Sequence, residues 1–170
     1  MNPLLIGNLS SLCAMVTDSL SARQKTGKGV LIMQTLSQAF YVLGAVVLKG
    51  YSAAVQNAVS ILRNICAIRK WNSKVLEWGF VIVALVLGLL FNNLGFVGLL
   101  PVIANLQYSL CVFRYRDNER ALKISFVFCT VAFSIFNAVI QNYVGTVSNL
   151  VVMVTLILYL VKNRKQPTAP

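Results

Sequence analysis

The chain has 170 residues, of which 58% are hydrophobic and 11% are charged, and it carries a formal net charge of +11. Soluble domains contain about 25% charged residues, so this composition excludes an ordinary soluble domain and predicts a polytopic protein of the lipid bilayer. The Lys and Arg residues cluster between hydrophobic stretches, as the positive-inside rule requires, so we expect no nucleic-acid binding.

Seven hydrophobic stretches are long enough to cross a membrane, for which a helix needs about 17–25 residues. Backbone polar groups inside lipid must be satisfied within their own segment, so each stretch is expected to be a helix. The sequence therefore predicts an all-α membrane protein with seven transmembrane helices. The predicted spans are Pro3–Leu20, Val30–Leu48, Tyr51–Ile68, Val75–Phe91, Phe96–Phe113, Leu122–Ile140 and Tyr143–Val161.

The basic residues indicate the direction in which the chain crosses the membrane. Thirteen of the fifteen Lys and Arg residues lie around the connections that follow spans one, three and five, or in the segment after span seven. Because cytoplasmic loops carry the excess of Lys and Arg, we predict that the N-terminus lies outside and the C-terminus lies in the cytoplasm.

A short pattern occurs twice in the chain. Tyr51–Asn57 (YSAAVQN) shares its Tyr, Val and Asn with Tyr143–Asn149 (YVGTVSN), at an offset of 92 residues, and this predicts an internal repeat. Because one span separates two sets of three, both sets cross the membrane in the same direction, in a parallel three-one-three plan. The predicted domains are a first triple-helix bundle at 1–70, a linker helix at 71–95, a second triple-helix bundle at 96–165 and a disordered tail at 166–170.

Polar side chains recur at helical spacing inside several spans. Their ordinary role is to join helices by hydrogen bonds, which are worth about 0.6 kcal/mol each on average. Repeat-related residues, however, face the axis between the two bundles, where transporters bind their solutes. We predict that the amides of Asn57 and Asn149 bind a solute there, since an amide offers both donors and an acceptor. The residues predicted to line the cavity with them are Gln38, Tyr41, Asn64, Asn105 and Asn137.

Asp18 and Arg63 are the ionisable residues nearest to the bilayer interior. A buried Arg costs at least about 2.5–3.5 kcal/mol on insertion scales and marks a functional site by default. The alternative is that the long side chain of Arg63 reaches the membrane interface. If spans one and three are neighbours, an Asp18–Arg63 pair is expected to close the cytoplasmic mouth and to act as a gate.

The sequence lacks the residues on which most enzymes depend. It contains no His, the commonest general base and metal ligand, and its four Cys residues have neither metal-site nor CxxC spacing. No Gly-rich phosphate loop, catalytic triad or acidic pair is present. We therefore expect no catalytic residues, no metal, no cofactor and no enzymatic activity. A membrane enzyme would require Asp18 or Glu77 to face a cavity.

Several short segments carry a resemblance to a known family. They are Leu99–Ile103 (LLPVI), Arg63 with Arg69, and Phe136–Asn137 followed by Tyr143–Gly145. Through them the chain resembles the YgjV-type family of bacterial inner-membrane proteins, which implies that it lies in the bacterial plasma membrane. More remotely, the three-one-three plan looks like the SWEET, PQ-loop and PnuC transporter group. In SWEET carriers an Asn on the third helix of each bundle lines the substrate site, so this resemblance implies facilitated diffusion by rocking of two bundles around the two repeat-related Asn residues.

Taken together, these features favour a facilitative carrier, a uniporter for a small polar solute such as a sugar, a nucleoside or a vitamin. The alternative is a non-transporting accessory or scaffold protein whose polar residues only join helices. A central cavity lined from both repeats and closed on at least one side would favour the carrier, whereas a solid interface at Asn57 and Asn149 would favour the scaffold. The identity of the solute, coupling to an ion and homo-oligomerisation stay open at this stage.

Overall fold

The computed structural model describes residues 2–71 and 73–163, and these residues form seven α-helices without any strand. The predicted all-α fold and all seven predicted helices are confirmed. The predicted tail at 166–170 lies outside the described residues. The helices are α1 (Pro3–Arg23), α2 (Gly27–Val47), α3 (Tyr51–Ile68), α4 (Lys74–Leu90), α5 (Gly95–Tyr115), α6 (Glu119–Val139) and α7 (Tyr143–Lys162).

Side-chain caps explain where most of the helices begin. Five helices follow a residue whose side-chain oxygen accepts a hydrogen bond from a backbone N–H of the first turn, the role for which Asn, Ser and Thr are favoured. Because the cap satisfies a donor that the helix itself cannot, it defines the first residue of the helix. These capping residues are Asn2, Thr26, Ser73, Asn118 and Asn142.

The connections after α2, α3 and α6 turn through a residue in the left-handed conformation. Lys49, Lys70 and Gln141 have φ angles of 60°, 59° and 59°. The N–H of the next residue donates to a carbonyl five positions back, as from Gly50 to Ala45 at 2.8 Å. This is the Schellman motif, which satisfies carbonyls at the helix end. It allows each following helix to start within a few residues and to pack against the one before.

Five of the seven helices, α1, α2, α5, α6 and α7, are long and apolar enough to cross a membrane. The third helix differs because polar side chains recur along its length, including those of Gln56, Ser60 and Arg63. The fourth helix is apolar but has only 17 residues, which span about 26 Å at 1.5 Å per residue.

Six of the helices form a ring around the centre of the molecule. The second helix packs against α1 and α3, and the sixth packs in the same way against α5 and α7. The ring closes where α1 packs against α7 and where α3 packs against α5, and α2 and α6 approach each other across the centre. The fourth helix lies outside the ring, against α3 and α5.

The ring is polar inside and apolar outside, as suits a protein surrounded by lipid. Its buried residues include Gln34, Gln56 and Asn64, whereas Leu43 and Leu158 are exposed. Many of the buried apolar residues are Ala, and small residues allow helices to pack closely where lipid supplies no hydrophobic driving force.

The bounds of the first three helices recur later in the chain at a constant offset. The fifth helix begins and ends 92 residues after α1, the sixth begins and ends 92 residues after α2, and the seventh begins 92 residues after α3. This is also the offset between Tyr51–Asn57 and Tyr143–Asn149. The neighbours correspond as well, since contact of α1 with α7 matches contact of α5 with α3. The first three and last three helices thus agree in length, order and neighbours, apart from two further residues at the end of α7.

A glutamine attaches α4 to the ring. The Nε2 atom of Gln56 donates a hydrogen bond of 2.7 Å to the backbone carbonyl of Ala84. One turn further along α4, a Cβ atom on Gly88 would lie 2.4 Å from Gln56 Nε2 and 2.5 Å from a methyl group of Val102. The close approach of α4 therefore depends on the absence of a side chain at position 88.

We expect Gly88→Ala to lower the free energy of unfolding by about 1–3 kcal/mol, the usual cost of overpacking, because the new methyl group displaces Gln56 or Val102. Gly79→Ala on the same helix is the control, since a Cβ atom there meets nothing within 4 Å. Thermal unfolding of the purified protein in detergent compares the two variants. Equal melting temperatures for Gly88→Ala and Gly79→Ala would contradict the packing described here.

Candidate functional site

One face of α3 carries a row of buried polar side chains. Gln56, Ser60, Arg63 and Asn64 are all buried, and their spacing of three, four, seven and eight residues places them on the same side of a helix. Because α3 lies between α2, α4 and α5 in the bundle, this row meets polar groups from all three neighbours.

Arg63 lies at the centre of this row, with a side chain that is 0% exposed. Its Nη1 donates to Asn105 Oδ1 at 2.6 Å and to Ser109 Oγ at 3.0 Å. Its Nε and Nη2 donate to Asn64 Oδ1 at 3.1 and 3.0 Å. The guanidinium carbon lies 4.9 Å from the ring centroid of Tyr108. The alternative that Arg63 extends to the membrane interface is therefore wrong, because neutral oxygens and an aromatic ring hold its charge inside.

Asn105 connects Arg63 to the rest of α3. Its Oδ1 accepts hydrogen bonds from Ser60 Oγ at 2.6 Å and from Arg63, while its Nδ2 donates to Gln56 Oε1 at 2.6 Å. Asn64 extends the network to α2, since its Nδ2 donates to Gln38 Oε1 at 3.3 Å. With the bond from Gln56 to α4, one continuous set of hydrogen bonds joins α2, α3, α4 and α5. We call this set the Arg63 network.

A cavity of about 30 Å³ lies beside the Arg63 network, between α1, α2 and α3 on one side and α5, α6 and α7 on the other. By the volume that one water needs, it has room for about two or three water molecules. Its walls are mostly polar toward α2 and α3 and mostly apolar or aromatic toward α6, where the hydroxyl of Thr130 donates to a backbone carbonyl of the same helix. The lining residues are Asp18, Ser37, Gln38, Tyr41, Asn57, Ser60, Asn105, Tyr108, Phe126, Cys129, Thr130, Phe133 and Asn149.

Eight of the lining residues form four pairs that are separated by the offset of 92 residues. In three of the pairs one residue lies on α2 and the other on α6, and in the fourth one lies on α3 and the other on α7. The pairs are Ser37 with Cys129, Gln38 with Thr130, Tyr41 with Phe133, and Asn57 with Asn149. Corresponding positions of the two halves of the chain therefore face each other across this cavity.

Asp18 is the only charged residue that lines the cavity in the described part of the chain. Its side chain is 0% exposed. One carboxylate oxygen, Oδ1, accepts a hydrogen bond of 2.5 Å from Ser37 Oγ. The other, Oδ2, lies beside the Tyr41 hydroxyl, but no hydrogen bond of ordinary geometry joins them, and neither atom has another partner among the described residues.

The amides in the cavity differ in how much hydrogen-bonding capacity they have left. Asn57 is 7% exposed, and its side chain makes no hydrogen bond within the described residues. Asn149 donates from Nδ2 to Gly145 O at 3.0 Å, which leaves its carbonyl oxygen free. The carbonyl oxygen of Gln38 accepts a hydrogen bond from Asn64, while its Nε2 is left as a free donor. Asn105, by contrast, is saturated by the Arg63 network, so it lines the wall without a free group.

A second, smaller cavity of about 10 Å³ adjoins the first. Tyr41, Asn57 and Phe133 line both cavities and therefore lie between them. The smaller cavity extends toward the connections between α2 and α3 and between α6 and α7, where Asn142 Nδ2 donates to Ser11 Oγ at 2.9 Å.

The structure places most of the predicted site residues together. Asn57, Asn149, Gln38, Tyr41 and Asn105 line the main cavity. Asn137 lines the smaller cavity instead. Asn64 lines neither of these cavities and belongs to the Arg63 network.

The predicted Asp18–Arg63 gate pair is wrong. Asp18 accepts from Ser37, whereas Arg63 donates to residues of α3 and α5. The reason lies in the packing, because α1 and α3 lie on opposite sides of α2 and do not form a neighbouring pair. Asp18 lines the cavity, whereas Arg63 lies behind the cavity wall and hydrogen-bonds to it.

Sequence reasoning from polar residues missed the wall that α6 contributes. Phe126 and Phe133 carry no polar signal, and Cys129 and Thr130 carry a weak one, so none of the four was predicted to line the cavity. The repeat offset would have found three of the four, because Cys129, Thr130 and Phe133 lie 92 residues after Ser37, Gln38 and Tyr41.

A comparison with protein families gives a match over most of the chain. The family model Imp-YgjV, described as a bacterial inner membrane protein, matches residues 5–166. The chain therefore belongs to this family of bacterial inner membrane proteins, and its resemblance to the YgjV-type family is confirmed. Neither the comparison with curated proteins nor that with solved structures gives a match.

We expect Arg63→Ala to lower the free energy of unfolding by at least about 1.5–3 kcal/mol, the value of hydrogen bonds to a charged group, because three buried side chains lose their donor. Arg63→Lys should recover only part of this loss, since an ammonium lacks the planar fork of a guanidinium. Denaturation of the purified protein measures both changes.

The control for Arg63 is Arg69→Ala on the same helix end. Arg69 is exposed and contacts the ring of Trp71 at 5.5 Å, a contact worth about 0.5–1 kcal/mol. An Arg63→Ala variant as stable as Arg69→Ala would show that the network contributes little to folding.

Proposed function

We propose that this bacterial inner membrane protein is a facilitative carrier for a small polar solute, which binds in the cavity between the two sets of three helices. The observation that carries the proposal is the central cavity, lined mostly by buried side chains and by four pairs of positions at one constant offset. A scaffold that only joins helices has no need for a central space with an unpaired carboxyl oxygen and a free amide.

We also infer that the chain is a parallel three-one-three repeat with seven membrane-spanning helices. The equal bounds of α1 with α5 and of α2 with α6 support this plan, as does the match between their neighbours. The fourth helix supports it by its position outside the ring, where it reverses the direction of the chain before the second set. In this plan a central site lies on the axis that relates the two halves.

We propose that this conformation is an occluded state of such a carrier, because the cavity is small and most of its lining residues are buried. Small-molecule pockets are commonly about 300–1,000 Å³, far larger than the 30 Å³ observed. A sugar or a nucleoside would thus require the two sets of helices to separate, while a solute of a few heavy atoms requires much less movement. In the proposed cycle, the cavity opens alternately to the two faces of the membrane.

Two layers of side chains bound the cavity in this state. The Arg63 network lies on the side toward the end of α3. Tyr41, Asn57 and Phe133 lie on the other side, between the two cavities. We propose that these layers act as the two gates, in place of an Asp18–Arg63 pair. Pro101, which removes one backbone hydrogen bond from α5 four residues before Asn105, offers a point at which this helix can bend.

Asp18 does face a cavity, which is the condition that an enzyme would have to meet. Its neighbours in the wall, however, are hydroxyls, amides, aromatic rings and the thiol of Cys129. We propose binding and release without chemical change, because neither a second acid nor a basic side chain of the described chain lines the cavity with Asp18.

We propose a screen of polar solutes, namely polyols, amides, amines, sugars and nucleosides, against the purified protein. We expect at least one class to raise the melting temperature. A ligand that binds the native state stabilises it by mass action, by about 2.7 kcal/mol at a concentration of 100 times Kd. Asn57→Ala should abolish that increase. Asn93→Ala is the control, since Asn93 lies in the connection before α5 and bonds to Lys49.

The same solute should cross the membrane of vesicles that contain the wild-type protein, and not of vesicles that contain Asn57→Ala. A screen without any stabilising solute, or an Asn57→Ala variant that responds like the wild type, would favour the scaffold.

We further expect a cytoplasmic C-terminus, because the basic connections lie on the same side as the end of α7. Green fluorescent protein fused after Lys162 should fluoresce in cells, and alkaline phosphatase fused there should be inactive. A fusion after Lys49 should give the opposite pair of results. Reversed outcomes at both sites would overturn the proposed orientation.

A further inference from the structure

The charge of the cavity wall limits the kind of solute that fits it. Asp18 is the single charged side chain among the lining residues of the described chain. The buried cation Arg63 directs its donors to Asn64, Asn105 and Ser109 and does not line the cavity. A solute in the cavity therefore meets an acidic group that forms no ion pair with a basic side chain of the described residues.

The free atoms around Asp18 are mostly acceptors. The Oδ2 atom of Asp18 has no hydrogen-bond partner, and the carbonyl oxygens of Asn57 and Asn149 are unpaired within the described residues. The hydroxyl of Tyr41, which can donate or accept, lies beside the Asp18 carboxyl and has no other partner among the described residues. Three acceptors and a hydroxyl match a group that donates several hydrogen bonds.

The opposite wall adds a second feature. Phe126 and Phe133 of α6 line the same cavity as Asp18, and the ring of Tyr108 is already covered by the guanidinium of Arg63. Aromatic faces attract cations, most strongly where water is excluded. A carboxylate on one side and aromatic rings on the other together favour an ammonium group that carries a short carbon chain.

We propose that the cavity binds a small organic ammonium ion, with Asp18 Oδ2 as its anionic partner, Asn57 and Asn149 as acceptors, and the aromatic wall of α6 against its carbon atoms. This inference rests on the proposed carrier function and specifies its substrate class. A size of a few heavy atoms suits the volume of about 30 Å³, which excludes larger amines unless the helices separate.

The test compares two solutes of nearly equal shape, ethanolammonium and ethylene glycol, which differ by an ammonium group in place of a hydroxyl. Each is titrated into the purified wild-type protein, and the affinity is obtained from the rise in melting temperature. We expect ethanolammonium to bind about tenfold more tightly or better, because hydrogen bonds between charged groups are roughly twice as strong as neutral ones.

Asp18→Asn should remove this preference, because it keeps the shape of the side chain and an acceptor for Ser37 but loses the charge. Glu77→Gln is the matched control, since Glu77 is an acid at the start of α4 that pairs with Arg114 at 2.9 Å, away from the cavity. This control should keep the preference. If Asp18→Asn does not fold, the comparison of the two solutes in the wild-type protein still decides the proposal.

The outcomes separate this inference from the proposed function. Equal binding of both solutes, with sensitivity to Asn57→Ala but not to Asp18→Asn, would overturn the ammonium site and leave a carrier of neutral solutes. The absence of binding by ethanolammonium, by ethylene glycol and by every member of the wider screen would overturn both. A preference for ethanolammonium that persists in Asp18→Asn would overturn the role of Asp18.

Discussion

The fold depends on a buried guanidinium that is satisfied without a carboxylate. Arg63 is completely buried, and each of its three nitrogen atoms donates to a neutral oxygen. An Arg in this position is expensive to insert into a membrane, and removal of its partners would leave a charge without compensation. The positions of Asn64, Asn105 and Ser109 are therefore constrained together, and with them the packing of α3 against α5. This constraint determines the shape of the cavity on the side of α3 and α5.

The same constraint makes the two junctions of the ring unequal. The contact of α3 with α5 carries hydrogen bonds from Gln56, Ser60 and Arg63. At the corresponding contact of α1 with α7, Ser11 forms side-chain hydrogen bonds with Asn142, the residue that caps α7. A helix pair held by a charged network resists separation more than a pair held by two neutral side chains. For the proposed carrier, the junction of α1 with α7 is therefore the easier one to open.

Much of the fold follows from the sequence, because the length of each apolar stretch and the chemistry of its ends are local properties. The predicted third span, Tyr51–Ile68, agrees with α3 at both ends, and the Asn residues of the repeated pattern line one cavity. The pairing of Asp18 with Arg63 was wrong because it required knowledge of which helices are neighbours. The volume of the cavity could not be predicted either, because it depends on how side chains such as Tyr41 and Phe133 fill the space between helices.

The four offset pairs in the cavity show how two similar halves produce a wall with two chemistries. In three pairs the member on α2 has the greater hydrogen-bonding capacity: Ser37 faces Cys129, Gln38 faces Thr130, and Tyr41 faces Phe133. Only Asn57 and Asn149 are identical, and they lie on α3 and α7, between the two unlike sides.

A solute in this cavity thus receives directional hydrogen bonds from α2 and mostly non-directional apolar contact from α6. Because polar groups can pair on one side only, the bound orientation of an asymmetric solute is fixed, and a solute that is polar all round leaves part of its surface unpaired. Such a loss is costly where water is excluded, so the division between the walls favours solutes with one polar end and one apolar end.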